Sequence, residues 1–235
     1  MNIMVHHLHG DGFSPVAGSV DVRVFEKLVD KYPDATWTFD DRLVSQELAV
    51  GVLDRKGIRG KFFVVGKNVM EQDRLTREGT PGFYDWFFSE YRKLEELLVV
   101  PDDFLSQYSF YTKSDGLYRY IRDFAGVELH ELIMAPHRRK LDLLDLDKIR
   151  HHEIGLHSFS HPLRISRLGR FGQWYEYKAC FDLVGGATSM SHPMGDYNDD
   201  TIEILRALGI KEGYRADGVR GKTEFELPRT DINLL

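Results

Sequence analysis

The run Thr36-Trp37-Thr38-Phe39, all β-branched or aromatic, is followed by apolar residues at helical spacing (Leu48, Ala49, Val52, Leu53) and then by a second β-rich run from Lys61 to Val65. Strand, helix, strand in that order predicts a parallel sheet with crossover helices, because parallel neighbours cannot be joined by a short turn. The middle helix is expected over 44–56, closed by Gly57. Upstream, residues 2–9 read as an opening strand that carries His6, His7 and His9. A Gly- and Pro-rich loop follows, and Asp21 is placed to cap a helix over 22–31. Downstream of residue 130 the rhythm resumes, with a short run at 132–135, a helix over 142–151 and a strand over 153–157. A helix over 170–184, a strand over 187–191 and a helix over 199–208 follow, then short strands at 211–215 and 225–230. About eight strand-like runs with intervening helices predict a closed or nearly closed β/α barrel.

Residues 68–130 break the alternation with a helical, aromatic-rich insertion that includes Phe83, Trp86, Phe88, Tyr108 and Tyr120. Such aromatics suit either the core of a helical subdomain or a platform for sugar rings. No linker or repeat appears, so residues 1–235 are expected to form one catalytic domain carrying this insertion. With 31 basic and 37 acidic residues the net charge is -6, which argues against nucleic acid as a partner. No long apolar run or basic leader is present, so the expectation is a cytoplasmic protein without membrane insertion. Assembly through the insertion would make it a homo-oligomer. The lone Cys180 sits among helical apolar residues and reads as a buried small side chain.

Chemistry concentrates in two places. Asp40 and Asp41 end a strand, where alternation sends neighbouring side chains in opposite directions, so that one acid can bind a cation while the other handles a proton. His157 and His161 follow a second strand four residues apart, the spacing of one helical turn, which puts both imidazoles on one side. Taken singly, the acids would more often open a helix, and the histidines would more often be structural. The run His151-His152-Glu153 also offers two imidazoles and a carboxylate, but it straddles the end of one element and the start of the next. His130 and His137 show no partner pattern.

Thr38-Phe39-Asp40-Asp41 followed by His157-Ser158-Phe159-Ser160-His161-Pro162 resembles the first two motifs of the polysaccharide deacetylase family (NodB-homology, carbohydrate esterase family four type). Phe62-Phe63-Val64-Val65-Gly66, Ser191-His192-Pro193-Met194-Gly195 and Leu227-Pro228-Arg229 are similar to its later stretches. The branch it looks like is the one associated with bacterial surface-polysaccharide biosynthesis. The resemblance implies a distorted (β/α) barrel of NodB type. It also implies a divalent metal, zinc or else cobalt, nickel, manganese or iron, held by Asp41, His157 and His161, with Asp40 as catalytic base. Two imidazoles and one carboxylate leave coordination positions open for water and substrate. The implied activity is removal of an N-acetyl or formyl group from an amino sugar or glycan precursor. An O-acetyl esterase and a degenerate carbohydrate-binding protein are the alternatives.

Three departures bear on the roles. Arg42 replaces the glycine that follows the acid pair, and could tune Asp40 or contact an anionic substrate. The 191–195 loop lacks the arginine that orients the base in the family. Arg229 stands where the family has a histidine acid, and a guanidinium cannot give up a proton near neutral pH, although its fork could hold an oxyanion or a sugar carboxylate. His192 is the first substitute for the missing acid; His7 and His9, aimed at the barrel centre or in contact with substrate, are weaker ones.

Overall fold

The computed structural model describes residues 1–13, 15, 18–66, 144–162 and 164–235. The expected insertion at 68–130, the run at 132–135, His130, His137 and the first two residues of the expected 142–151 helix lie outside these residues.

Seven parallel strands form the sheet: β1 (Asn2–Val5), β4 (Thr36–Asp40), β5 (Lys61–Val64), β6 (Glu153–Leu156), β7 (Ser189–Ser191), β8 (Glu212–Tyr214) and β9 (Thr230–Asp231). Their order is β8-β7-β6-β5-β4-β1-β9. Partners such as Val5 with Phe39, Asp40 with Phe63, Val64 with Leu156 and Ser191 with Tyr214 bring the carboxyl ends together along one edge. The sheet curls until its two edges are linked by the last segment of the chain. Leu227 exchanges backbone hydrogen bonds with β8, accepting from Arg215 and donating to Gly213 at 2.8 Å each. Three residues later Thr230 and Asp231 pair with Ile3 and Met4 of β1. The expected strand over 225–230 is therefore two short pieces, because Pro228 has no N–H with which to continue a ladder. Asn2 Nδ2 donates to the Pro228 carbonyl at 3.0 Å and ties the switch in place.

Side chains alternate across the wall. Trp37 and Phe39 point outward onto α1 (Val22–Lys31), where Phe25 meets the two rings edge-on at 5.1 and 6.2 Å. Phe39 stacks on Phe62 at 4.6 Å under α2 (Glu47–Lys56). All four rings are fully buried, and losing any one to alanine would cost about 3–5 kcal/mol. Leu156 and Met190 do the same on the other side, beneath α4 (Arg170–Leu183) and α5 (Asp199–Ala207), with Tyr177, Cys180 and Leu205. Cys180 is the buried small residue expected; burial pushes its thiol up to about 12. Thr38, Asp40, Phe63, Ser189 and Ser191 alternate with these and line the barrel, and so does Gly155, where a Cβ would meet the Phe63 ring at 2.5 Å.

Helix boundaries follow local chemistry. Asp21 caps α1 through the Arg23 amide, and Gly57 closes α2 at a left-handed φ of 65°. Asn198 and Thr201 cap α5 reciprocally. The expected 142–151 helix is the single turn α3 (Leu146–Ile149) in its described part. The opening strand also differs from expectation. It breaks at His6, and His7–His9 (β2) leaves the barrel to pair with Ser19–Asp21 (β3), a strand that the glycine-rich sequence around it concealed.

Candidate active site

β4 and β6 deliver the four predicted groups to the same edge, by geometry that neither periodicity alone describes. Continuation of the β4 pleat would send Asp41 away from Asp40. Instead Asp41 and Arg42 adopt left-handed φ angles of 73° and 58°, and both carboxylates stay buried near the same imidazole. Asp41 Oδ1 lies 3.5 Å and Asp40 Oδ2 3.9 Å from His157 Nε2. His157 and His161 are not on a helix. They flank a tight loop in which Ser158 and His161 are left-handed, at 59° and 52°, and the His161 amide donates to Ser158 Oγ at 3.0 Å. Of six non-glycine residues with such φ among those described, four are in these two turns. Each costs of order 1–3 kcal/mol and persists only where its surroundings enforce it.

Asp41 Oδ1, His157 Nε2 and His161 Nε2 converge, with Nε2–Nε2 at 3.1 Å and His161 Nε2–Asp41 Oδ1 at 3.7 Å. His157 Nδ1 donates to the Ser191 carbonyl at 2.9 Å, so the proton of the neutral ring sits there and the Nε2 lone pair faces the cluster. Burial, and next the nearby His157, lower His161 to about 4, which favours its neutral ring. Asp41 Oδ1 is buried without a hydrogen-bond donor among the described residues. One carboxylate oxygen and two imidazole nitrogens facing one another form a donor set that fits a divalent cation.

Asp40 is held separately. Arg229 grips it with both prongs, NH1 to Oδ1 at 2.7 Å and NH2 to Oδ2 at 2.8 Å, while Ser191 Oγ donates to Oδ2 at 3.0 Å. Burial pushes the carboxyl up, but the charge of Arg229, then that of His157, outweigh it and hold it well below the usual carboxylate range. Arg229 can reach because it lies at the barrel seam, fully buried, with its Nε donating to the Arg215 carbonyl at 2.8 Å. The contact expected of an arginine in the 191–195 loop is thus made by Arg229, with Ser191 beside it.

The other predicted residues scatter. Arg42 turns from the acids, and its Nε donates to the Leu144 carbonyl at 2.5 Å. His192 is buried with Nε2 donating to the Phe225 carbonyl at 2.7 Å and its ring stacked on Tyr197 at 4.3 Å; burial lowers it to about 4. His9 pairs with Ser19 Oγ at 2.9 Å on the small sheet. His7 is buried, and burial followed by the neighbouring His6 lowers it to about 4. His151 meets Asp54 at 2.7 Å, whereas Glu153 points into the barrel toward Lys61. Asp54, His151 and His152 lie close together, but His152 Nδ1 accepts from the Gly60 amide at 3.2 Å. That bond leaves the ring proton on Nε2, the atom a cation would need.

Several contributors were missed. Glu176 of α4 accepts from both the Ser160 amide and hydroxyl, at 2.7 and 2.6 Å, and braces the histidine loop; burial raises its pKa. Gln46 Nε2 donates to the carbonyls of Asp40 at 2.5 Å and His6 at 3.0 Å, joining the ends of β4 and β1. His6 itself stands 3.9 Å from Asp40 Oδ2. A carboxylate among the aromatic residues of the expected 170–184 helix was the available signal for Glu176; no local signal marks the other two.

No family profile and no curated protein matches the chain. Solved structures do. The Streptococcus pyogenes deacetylase PplD, in complex with acetate, aligns with a TM-score of 0.56 at 14% identity over 98% of this chain and 91% of that one. IcaB from Ammonifex degensii aligns at 0.52 with 12% identity over 98% and 91%. The BpsB deacetylase domain from Bordetella bronchiseptica aligns at 0.52 with 12% identity over 98% and 94%. The resemblance read from the two motifs is borne out in the fold, a curled parallel sheet of the NodB type.

Proposed function

We propose that this chain is a divalent-metal-dependent hydrolase that removes an N-acetyl or formyl group from an amino sugar or sugar-like precursor of a bacterial surface glycan. The observation that carries the reading is the buried Asp41-His157-His161 cluster next to an Asp40 fixed by Arg229, at the edge where parallel β/α folds place their chemistry. The fold shared with several deacetylases supports it, and one of those, PplD, is in complex with acetate, the acid such a reaction releases.

Asp41, His157 and His161 would hold a divalent cation, which when bound would supply a Lewis acid for the acyl oxygen and an acidified water near neutral pH; zinc suits the donor set, and cobalt, nickel, manganese and iron are compatible with it. Asp40 takes the water's proton. The Arg229 fork and Ser191 Oγ fix the carboxylate's plane and keep it ionised, ready to accept a proton. The left-handed turns at Asp41 and Ser158 hold the cluster's two halves against one another.

The test is elemental analysis of metal in wild type and His157→Ala, with acetate and formate release assayed on the same samples over acylated amino sugars and their O-acetyl counterparts. One metal per chain, lost in the variant, together with release from amides, is the expected result. Release from esters alone makes the protein an esterase. Metal without release supports a carbohydrate-binding protein, a reading motivated by the buried Arg229 in place of an acid. Failure to take up metal overturns the assignment.

A further inference from the structure

Amide hydrolysis needs a second proton transfer, because an amine leaves poorly as its anion. The group that supplies this proton must reach the space beside Asp40 and must be reloaded from solvent in each turnover. Arg229 does not fit: its guanidinium is committed to Asp40 and fully buried. His192 is tied to the Phe225 carbonyl and Tyr197, His7 is buried, and His9 faces Ser19.

His6 fits both requirements. Its Nε2 stands 3.9 Å from Asp40 Oδ2, the distance that separates the same oxygen from His157 Nε2. The base is therefore flanked by a cluster imidazole and by His6. At 3.9 Å His6 approaches Asp40 without a direct hydrogen bond to it. Its side chain is 32% exposed, against 3% for Asp40, 4% for Asp41, 3% for His157, 6% for His161 and 0% for Arg229. Its partly exposed side chain stands beside buried Asp40 and borders bulk water. Its place is built: β1 ends at Val5, and the Gln46 amide that holds the Asp40 carbonyl also holds the His6 carbonyl.

Resting on the hydrolase reading above, we propose that His6 is the proton donor to the leaving nitrogen. Water adds to the acyl carbon as Asp40 takes its proton. On collapse the C–N bond breaks, its electron pair stays on nitrogen, and protonated His6 transfers its Nε2 proton to that nitrogen. The amine leaves neutral, the acyl group departs as the acid and ionises, Asp40 gives the proton it took from water back to solvent, and neutral His6 is reprotonated from solvent. The net change is one water consumed per amide cleaved.

The experiment compares full-length, metal-loaded wild type, His6→Gln and His6→Ala on two probes. One is the N-acetylated amino sugar that wild type cleaves; the other is 4-nitrophenyl acetate, whose nitrophenolate leaves without a proton. Amide turnover should fall about 100-fold to 10,000-fold in both variants while ester turnover falls less than about tenfold, and added imidazole should restore amide turnover in His6→Ala. Unchanged metal content and melting temperature in both variants exclude a folding defect. Equal loss on both probes, or no loss on the amide, overturns the assignment to His6. A wild type that binds metal and cleaves neither probe nor any acylated sugar overturns the hydrolase reading instead, and this inference with it.

Discussion

The barrel holds polar groups at both ends, and the ends differ. At the amino end Lys61 lies between Glu153 and Glu212, and Ser189 Oγ donates to Glu153 at 2.6 Å. Burial alone would lower the Lys61 ammonium, but the hydrogen bonds it donates to Glu212 and Glu153, with the charges of Tyr214 and Glu153, raise it instead. Charges there meet partners, water reaches the side chains, and none of Lys61, Glu153, Ser189 and Glu212 is itself left-handed or adjacent in sequence to a left-handed non-glycine residue. At the carboxyl end a carboxylate oxygen and two imidazole nitrogens face one another, that oxygen has no donor among the described residues, and four left-handed residues hold the arrangement. A polar cluster that satisfies itself contributes to folding. One that needs something further to satisfy it, kept at the expense of backbone strain, is a place for a ligand.

This contrast can be broken experimentally. Arg229→Met leaves Asp40 as an unpaired buried carboxylate, so urea unfolding should show a loss of about 3–5 kcal/mol. The double variant Asp40→Leu/Arg229→Met should recover most of that loss and none of the activity. Glu176→Gln sets an amide NH2 against one of the two Ser160 donors and loosens the histidine loop. Metal affinity by calorimetric titration should fall about 10-fold to 100-fold, with the fold intact by circular dichroism.

The pH dependence of stability offers a third measure. Burial lowers His192 to about 4 from an unfolded value near 6.5, so the unfolded chain binds more protons between those pH values. Its contribution is complete above about pH 6.5 and is lost as pH falls toward 4. His192→Phe, which keeps a ring over Tyr197, should make the fall of metal-free stability across this window shallower by up to about 1.4 kcal/mol per pH unit. An unchanged slope would mean that His192 is open to water in solution. The smallest effect belongs to the amino end: Lys61→Met should cost about 1 kcal/mol or less, because Lys61, Glu153 and Glu212 side chains are 18%, 31% and 30% exposed. A cost as large as that of Arg229→Met would erase the distinction between the ends.

Much of this was legible in advance where the signal is local. The helix capped by Asp21 and the helix closed by Gly57 follow from propensity and spacing over adjacent residues, and the strands from Thr36, Lys61 and Glu153 from apolar β-rich runs. The convergence of Asp41, His157 and His161 was legible as a motif, although for reasons the periodicities misstate. Neither the strand pleat nor a helical turn brings them together; left-handed turns do. The break at His6 was hidden because residues on both sides look equally strand-like, and only their different partners, β4 and β9 for β1 but β3 for β2, separate them.

The order of elements, the parallel architecture and the residue types able to hold a cation were determined by the sequence, since hydrophobic periodicity, caps and donor chemistry act over a few residues. Tertiary structure decided which arginine serves Asp40 and which histidine meets solvent beside it. Arg229 reaches Asp40 across 189 positions because the barrel closes at Pro228, and His6 is held near it by Gln46, 40 positions away. Contacts at such separation arise from how the sheet curls and closes, and no local pattern encodes them.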